Sequence, residues 1–208
     1  MNTWGPHWGI TLTRIFLEDY AGAKELIVET FRLAQISKAS LGQTFFLLGW
    51  INIAQGNIPD AIEQMEKGLL LAKQTSDAYS TSNLTIWLGE ASRRKNDFPQ
   101  AITRYKEALA KYQEENLAYG YCFCFEGMGM LAIDQGQAIR GAHLLGAREK
   151  LRASEFLIDF LPFMVREREA HIAAAREQLG GDAFNQAWAE GKAMSTEEAI
   201  KYALEEIQ

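Results

Sequence analysis

The chain has 208 residues, 48% of them hydrophobic and 23% charged, with a net charge of −6, the make-up of an ordinary folded domain. A pI near 5.2 argues against a nucleic-acid-binding body, which carries a basic stripe, and no window nears the roughly eighteen apolar residues of a membrane span. The start of the chain lacks a signal peptide's basic and apolar runs. The two cysteines, Cys122 and Cys124, point to different sides of a helix, which suits neither a disulfide nor a shared metal. A cytoplasmic protein is expected.

In chain order, a first helical hairpin is predicted from about Thr3. Its Asp19-Tyr20, Ala23 and Phe31-x-Leu33-Ala34 match Asn57-Ile58, Ala61 and Leu69-x-Leu71-Ala72 thirty-eight residues on. In the second copy, Phe45, Leu48, Gly49 and Asn52 fall at i, i+3, i+4 and i+7, one face of a helix. Gln55-Gly56-Asn57-Ile58-Pro59 then reads as a turn. Gly56 leaves the helix in a left-handed conformation, Asn57 caps the next helix, and Pro59 occupies its first turn. Lys95-Asn96-Asp97-Phe98-Pro99 and Gln135-Gly136-Gln137 repeat the device at intervals of forty. Gly49, Gly89 and Gly129 keep that spacing, as do Ala61, Ala101 and Gly141, and Met65, Tyr105 and Leu145. A fixed period of this size means one supersecondary unit laid down repeatedly, here about four hairpins up to residue 151.

From Arg152 the period fails. Ser154 to Leu179 reads as one or two long helices, bent at Pro162 and ending at Gly180-Gly181. Ser195-x-x-Glu198 is a capping box for a last helix running to Glu206. Residues 152–208 are read as a helical cap that continues the same solenoid domain. Phe184 and Trp188, at i and i+4, are expected to close its apolar end.

The pairs Leu48-Gly49, Leu88-Gly89 and Met128-Gly129, the Gly-Asn type turn and the small residue twelve positions later resemble the tetratricopeptide repeat, in its long, forty-residue form. The Leu179 to Leu204 ending resembles the C-terminal arm of bacterial STAND-type ATPases and LuxR-type regulators. The resemblance implies an all-α, right-handed superhelix of about four hairpins. It also implies a non-enzymatic sensing or protein-interaction module, the scaffold arm of a signalling or transcription regulator. A self-association scaffold and a small-effector receptor are the alternatives. The expected partners are a protein or peptide, helical or extended, or a second copy of the chain, with no direct nucleic-acid binding and no membrane.

Carried over from such repeats, a concave surface would be lined by Phe46, Leu47, Trp50 and Ile53 on one first helix. Ile86, Trp87, Glu90 and Arg93 line it on the next, and Glu126, Met130 and Ile133 on a third. An exposed apolar patch of this kind marks a binding site; the other reading is that the chain's own helices cover it. The repeats that clamp C-terminal carboxylates carry Lys and Asn where this chain has Phe46, Trp50, Ile86 and Glu90, so that chemistry is not expected. No cofactor, metal site or catalytic residue is predicted, because no phosphate loop, ligand cluster or nucleophile–base pair occurs. An enzyme would have to use Glu90 and Glu126 near Arg93. The run Arg93-Arg94-Lys95 is explained by a helix C-terminus, which favours cations, or by contact with an anionic partner. Glu167, Arg168 and Glu169 are read as a solvated face, with His171 partly solvated on the same helix.

Overall fold

A computed structural model describes residues 4–37, 41–155 and 161–205. Among them are eleven helices and no strand, the all-α class expected. These are α1 (Trp4–Phe16), α2 (Tyr20–Ser37), α3 (Leu41–Ala54), α4 (Ile58–Gln74), α5 (Ala78–Arg94), α6 (Phe98–Glu115), α7 (Ala118–Asp134), α8 (Ala138–Ser154), α9 (Pro162–Leu179), α10 (Gly181–Ala193) and α11 (Thr196–Leu204). The expected start at Thr3, the expected helix end at Glu206 and positions 156–160 of the predicted Ser154–Leu179 stretch lie outside the described residues. Proline at the first position of α9 fits its fixed φ, so Pro162 starts a helix and does not bend one.

The repeat is written in the backbone. Gly56, Asn96 and Gly136 have φ of 76°, 62° and 78°, and Glu18, thirty-eight residues before Gly56, has 59°. Ser76 and Asn116, again forty apart, play the same part between hairpins at 53° and 52°. Around each, the N–H of the following residue donates to a carbonyl five positions back: Asn57 to Asn52 at 2.8 Å, Asp97 to Ser92 at 2.9 Å, Gln137 to Ala132 at 2.8 Å. The left-handed residue itself donates three back, Gly56 to Ile53 at 3.0 Å and Gly136 to Ile133 at 2.9 Å. This is the Schellman ending, which satisfies carbonyls the helix would otherwise orphan. Pro59 lies in the first turn of α4, as expected, but the Asn57 side chain makes no capping bond. Its backbone, at φ −82° and ψ 63°, is not in the extended conformation that aims a cap side chain at the helix. The capping box of Ser195 and Glu198 at the start of α11 is present in full.

The chain forms two compact units that divide between Asp97 and Phe98, with residues 161 and 162 counted in the first. The expected division was at residue 151, within one continuous domain. In the first unit α3 touches both α1 and α5, so the odd-numbered helices form a layer. Gly49 of α3 leaves no room for a Cβ because Met65 of α4 occupies the space, and Gly68 of α4 admits Phe45 and Leu84.

In the second unit the glycines of α7 receive the tyrosines of α6. A Cβ at Gly127 or Gly120 would run into the ring of Tyr105 or Tyr112. Gly129 and Gly141 bring α7 and α8 into backbone contact. The cap is joined to α8 in the same way. A Cβ at Gly191 would strike the His143 carbonyl, and one at Gly146 the Trp188 carbonyl. Beside this crossing Phe184 and Ala187 pack with Ile133, Ala142, Leu145 and Ala175, and Trp188 is half-buried against them. Polar ties reinforce the joint: Lys150 Nζ donates to the Met194 carbonyl at 2.6 Å, and the Arg176 guanidinium lies 4.6 Å from the Phe184 ring centre.

Two outcomes follow for urea unfolding. Phe184→Ala should cost about 3–5 kcal/mol and Trp188→Ala less, because only Phe184 is fully enclosed. At the turns, Gly136→Ala should destabilise by about 1–2 kcal/mol, whereas Ser76→Gly should be neutral or stabilising by up to about 1 kcal/mol.

Candidate functional site

Phe46 and Trp50 stand one turn apart on α3, their ring centres 4.2 Å from each other. Trp87 of α5 meets both, at 6.3 Å from Phe46 and 5.2 Å from Trp50. Offset and edge-on geometries at these distances are attractive, and the triad exists because α3 and α5 lie side by side. All three rings are buried, as are Leu47, Ile53, Ile86, Met130 and Ile133, none of them more than 5% exposed. The expected half-exposed apolar groove is therefore corrected. The aromatic residues are interior packing.

That enclosure creates a problem on α5, which is buried without interruption from Ser80 to Arg93 although half its residues are polar. A buried polar group without a partner is costly. The helix answers with its own carbonyls: Thr81, Ser82, Asn83 and Thr85 each donate to the residue four back, at 2.7, 3.1, 2.8 and 2.7 Å. Glu90 takes Arg93 in a forked pair, Nη2 to Oε1 at 2.8 Å and Nε to Oε2 at 3.1 Å. Arg94 Nε adds a bond of 2.7 Å to Oε1. Burial pushes the Glu90 carboxyl up, but the two guanidiniums outweigh it and bring it down to about 2. A carboxylate held there is no general base, since proton transfer wants a pKa near the working pH. The basic run after Glu90 thus has a third explanation, an internal carboxylate.

The second unit carries a matching node. Glu126, buried on α7, accepts from Arg148 Nε of α8 at 2.8 Å and from Arg168 Nη1 of α9 at 3.0 and 3.1 Å. Arg168 is 9% exposed, so the expected solvated face is broken at its centre; Glu126 draws Arg168 inward. The signal in the sequence is an acid in the midst of an apolar run, Cys124-Phe125-Glu126-Gly127, because a buried charge must be paired. Its partners sit 22 and 42 residues away, and no local pattern announces them. Glu90 and Glu126 belong to different units and each is neutralised within its own. His171 is half-exposed as expected, with Nε2 2.9 Å from Asp134. Burial pushes the Cys124 thiol well up, which leaves it unreactive. Among the described residues, no three His, Cys, Asp or Glu side chains are grouped to hold a metal, and no helix is long and apolar enough to cross a membrane.

The chain is 38% identical over 96 residues to three mycobacterial proteins named "Putative HTH-type transcriptional regulator", one from Mycobacterium bovis and two from strains of Mycobacterium tuberculosis. The match takes in 46% of this chain and 11% of each relative, so the chain spans about a tenth of the length of these proteins. No family model and no solved structure matches it. The relatives' name describes a regulator and not an enzyme. It also corrects the expectation of no direct nucleic-acid binding, because the helix-turn-helix of that name is a DNA-reading motif.

Burial makes the aromatic residues stability determinants. Trp50→Ala and Trp87→Ala should each lose about 3–5 kcal/mol in chemical denaturation, as much as Leu88→Ala or more. The Glu90 node sets an acid limit. With its folded carboxyl held below the ordinary value, its stabilisation is complete above about pH 4.5 and lost as pH falls towards about 2. Glu90→Gln should therefore flatten the fall in melting temperature across that window.

Proposed function

We propose that this chain is the helical-repeat arm of a bacterial transcription regulator, a cytoplasmic and non-enzymatic module that holds a protein or peptide partner. The observation that carries the reading is the 96-residue likeness to proteins named as HTH-type regulators, in a chain made of hairpins whose turns recur every forty residues. Stacked hairpins of this kind present extended surfaces to partners, and the forty-residue period resembles the long tetratricopeptide form. Two buried carboxylates, each held by two arginines, favour a structural over a catalytic use of Glu90 and Glu126. With the aromatic layer spent on internal packing, the partner is met by exposed positions such as Leu70, Tyr79 and Ile139.

A photo-crosslinking residue placed at Leu70, Tyr79 or Ile139 in the producing cell tests this. A discrete adduct with another protein is the expected result, and an adduct of doubled mass would turn the reading to self-association. No adduct at any of the three, or a hydrolytic turnover abolished by Glu126→Gln, would sink it.

A further inference from the structure

The two cap helices that touch α8 are attached to it by different physics. α10 is welded: Gly146 and Gly191 bring the two backbones into contact, and Phe184 and Ala187 enter the shared core. α11 has nine residues and buries only Ala199, Ile200 and Ala203. Among the described residues, its hydrogen bonds to α8 run to two side chains. Arg140 Nη2 donates to the carbonyls of Tyr202, Ala203 and Glu205 at 2.8, 3.3 and 3.1 Å, and the same guanidinium lies 4.8 Å from the Tyr202 ring centre. His143 Nδ1 is 2.9 Å from the Tyr202 hydroxyl. The other ring nitrogen of His143 is 2.9 Å from Glu190 Oε2 on α10, so the histidine keeps a partner if α11 leaves. The capping box gives α11 its own start, and the helix has no need of its neighbours to end the backbone bonds there.

We infer that α11 is a detachable latch over the α7–α8 hairpin, on which it rests, secured through Arg140 and His143 and released without disturbing α10. Segments with few buried apolar contacts open locally at lower free energy than the core. Release frees the Arg140 guanidinium and uncovers the faces of α7 and α8 beneath, which changes the surface the protein shows to partners.

Hydrogen exchange on the full chain separates this from a single rigid cap. In the unaltered protein, amides of residues 200–204 should exchange at least about tenfold faster than those of residues 185–191 in α10. Arg140→Gln should speed the α11 amides by roughly a further tenfold and leave α10 unchanged. Equal rates for the two helices in the unaltered protein, or a joint acceleration in the variant, would overturn the latch. The first comparison decides the matter even if the variant folds poorly.

Discussion

The repeat hairpins from α1 to α8 depend on one backbone event: a helix stops through a single left-handed residue and the next begins within three residues. The Schellman bonds around Gly56, Asn96 and Gly136, and around Ser76 and Asn116, reverse the chain while leaving few carbonyls unpaired. A 17-residue helix, three turn residues, an 18-residue helix and two more turn residues then fill a period, as from Ala78 to Leu117. Side-chain packing follows from that geometry. Once the reversal is set, Gly127 and Gly120 must face Tyr105 and Tyr112, and Gly129 must face Gly141.

The second organising fact is electrostatic. Among the described residues two glutamates are buried, Glu90 and Glu126, and each is met by two guanidiniums. Such nodes add little net stability compared with a well-packed apolar core, yet removing one partner leaves a buried charge uncompensated. Glu126 gathers α7, α8 and α9 at a point, which sets the position of α9 against the repeat helices of its unit. Glu90 draws in two arginines from the end of its own helix.

The hairpins, the turns and the Ser195 capping box were legible because they rest on local rules: a glycine or asparagine where φ is positive, proline in a first turn, spacing of three and four. Asn57 shows the limit of such rules, since its residue type suits a cap but its backbone does not. For the aromatic layer the sequence leaves two readings open, and burial selects the covered one. Phe46, Trp50 and Trp87 look alike whether they line a groove or fill it, and only the neighbouring helix decides. The expectation failed at Arg168: between Glu167 and Glu169 it reads as surface, and the acid that buries it is 42 residues earlier. Long-range pairing is the part that one sequence leaves silent.

The recurrence of the reversals has a consequence for how such a chain changes length. A stretch cut at equivalent turns, such as 57–96 or 97–136, begins and ends in the same backbone state. Duplicating or deleting it rejoins one Schellman ending to another, and every junction keeps its hydrogen bonds. An insertion of most other lengths has to break one of them. Descent by whole increments is therefore the path of least resistance for this architecture, and the chain's size is in that sense quantised.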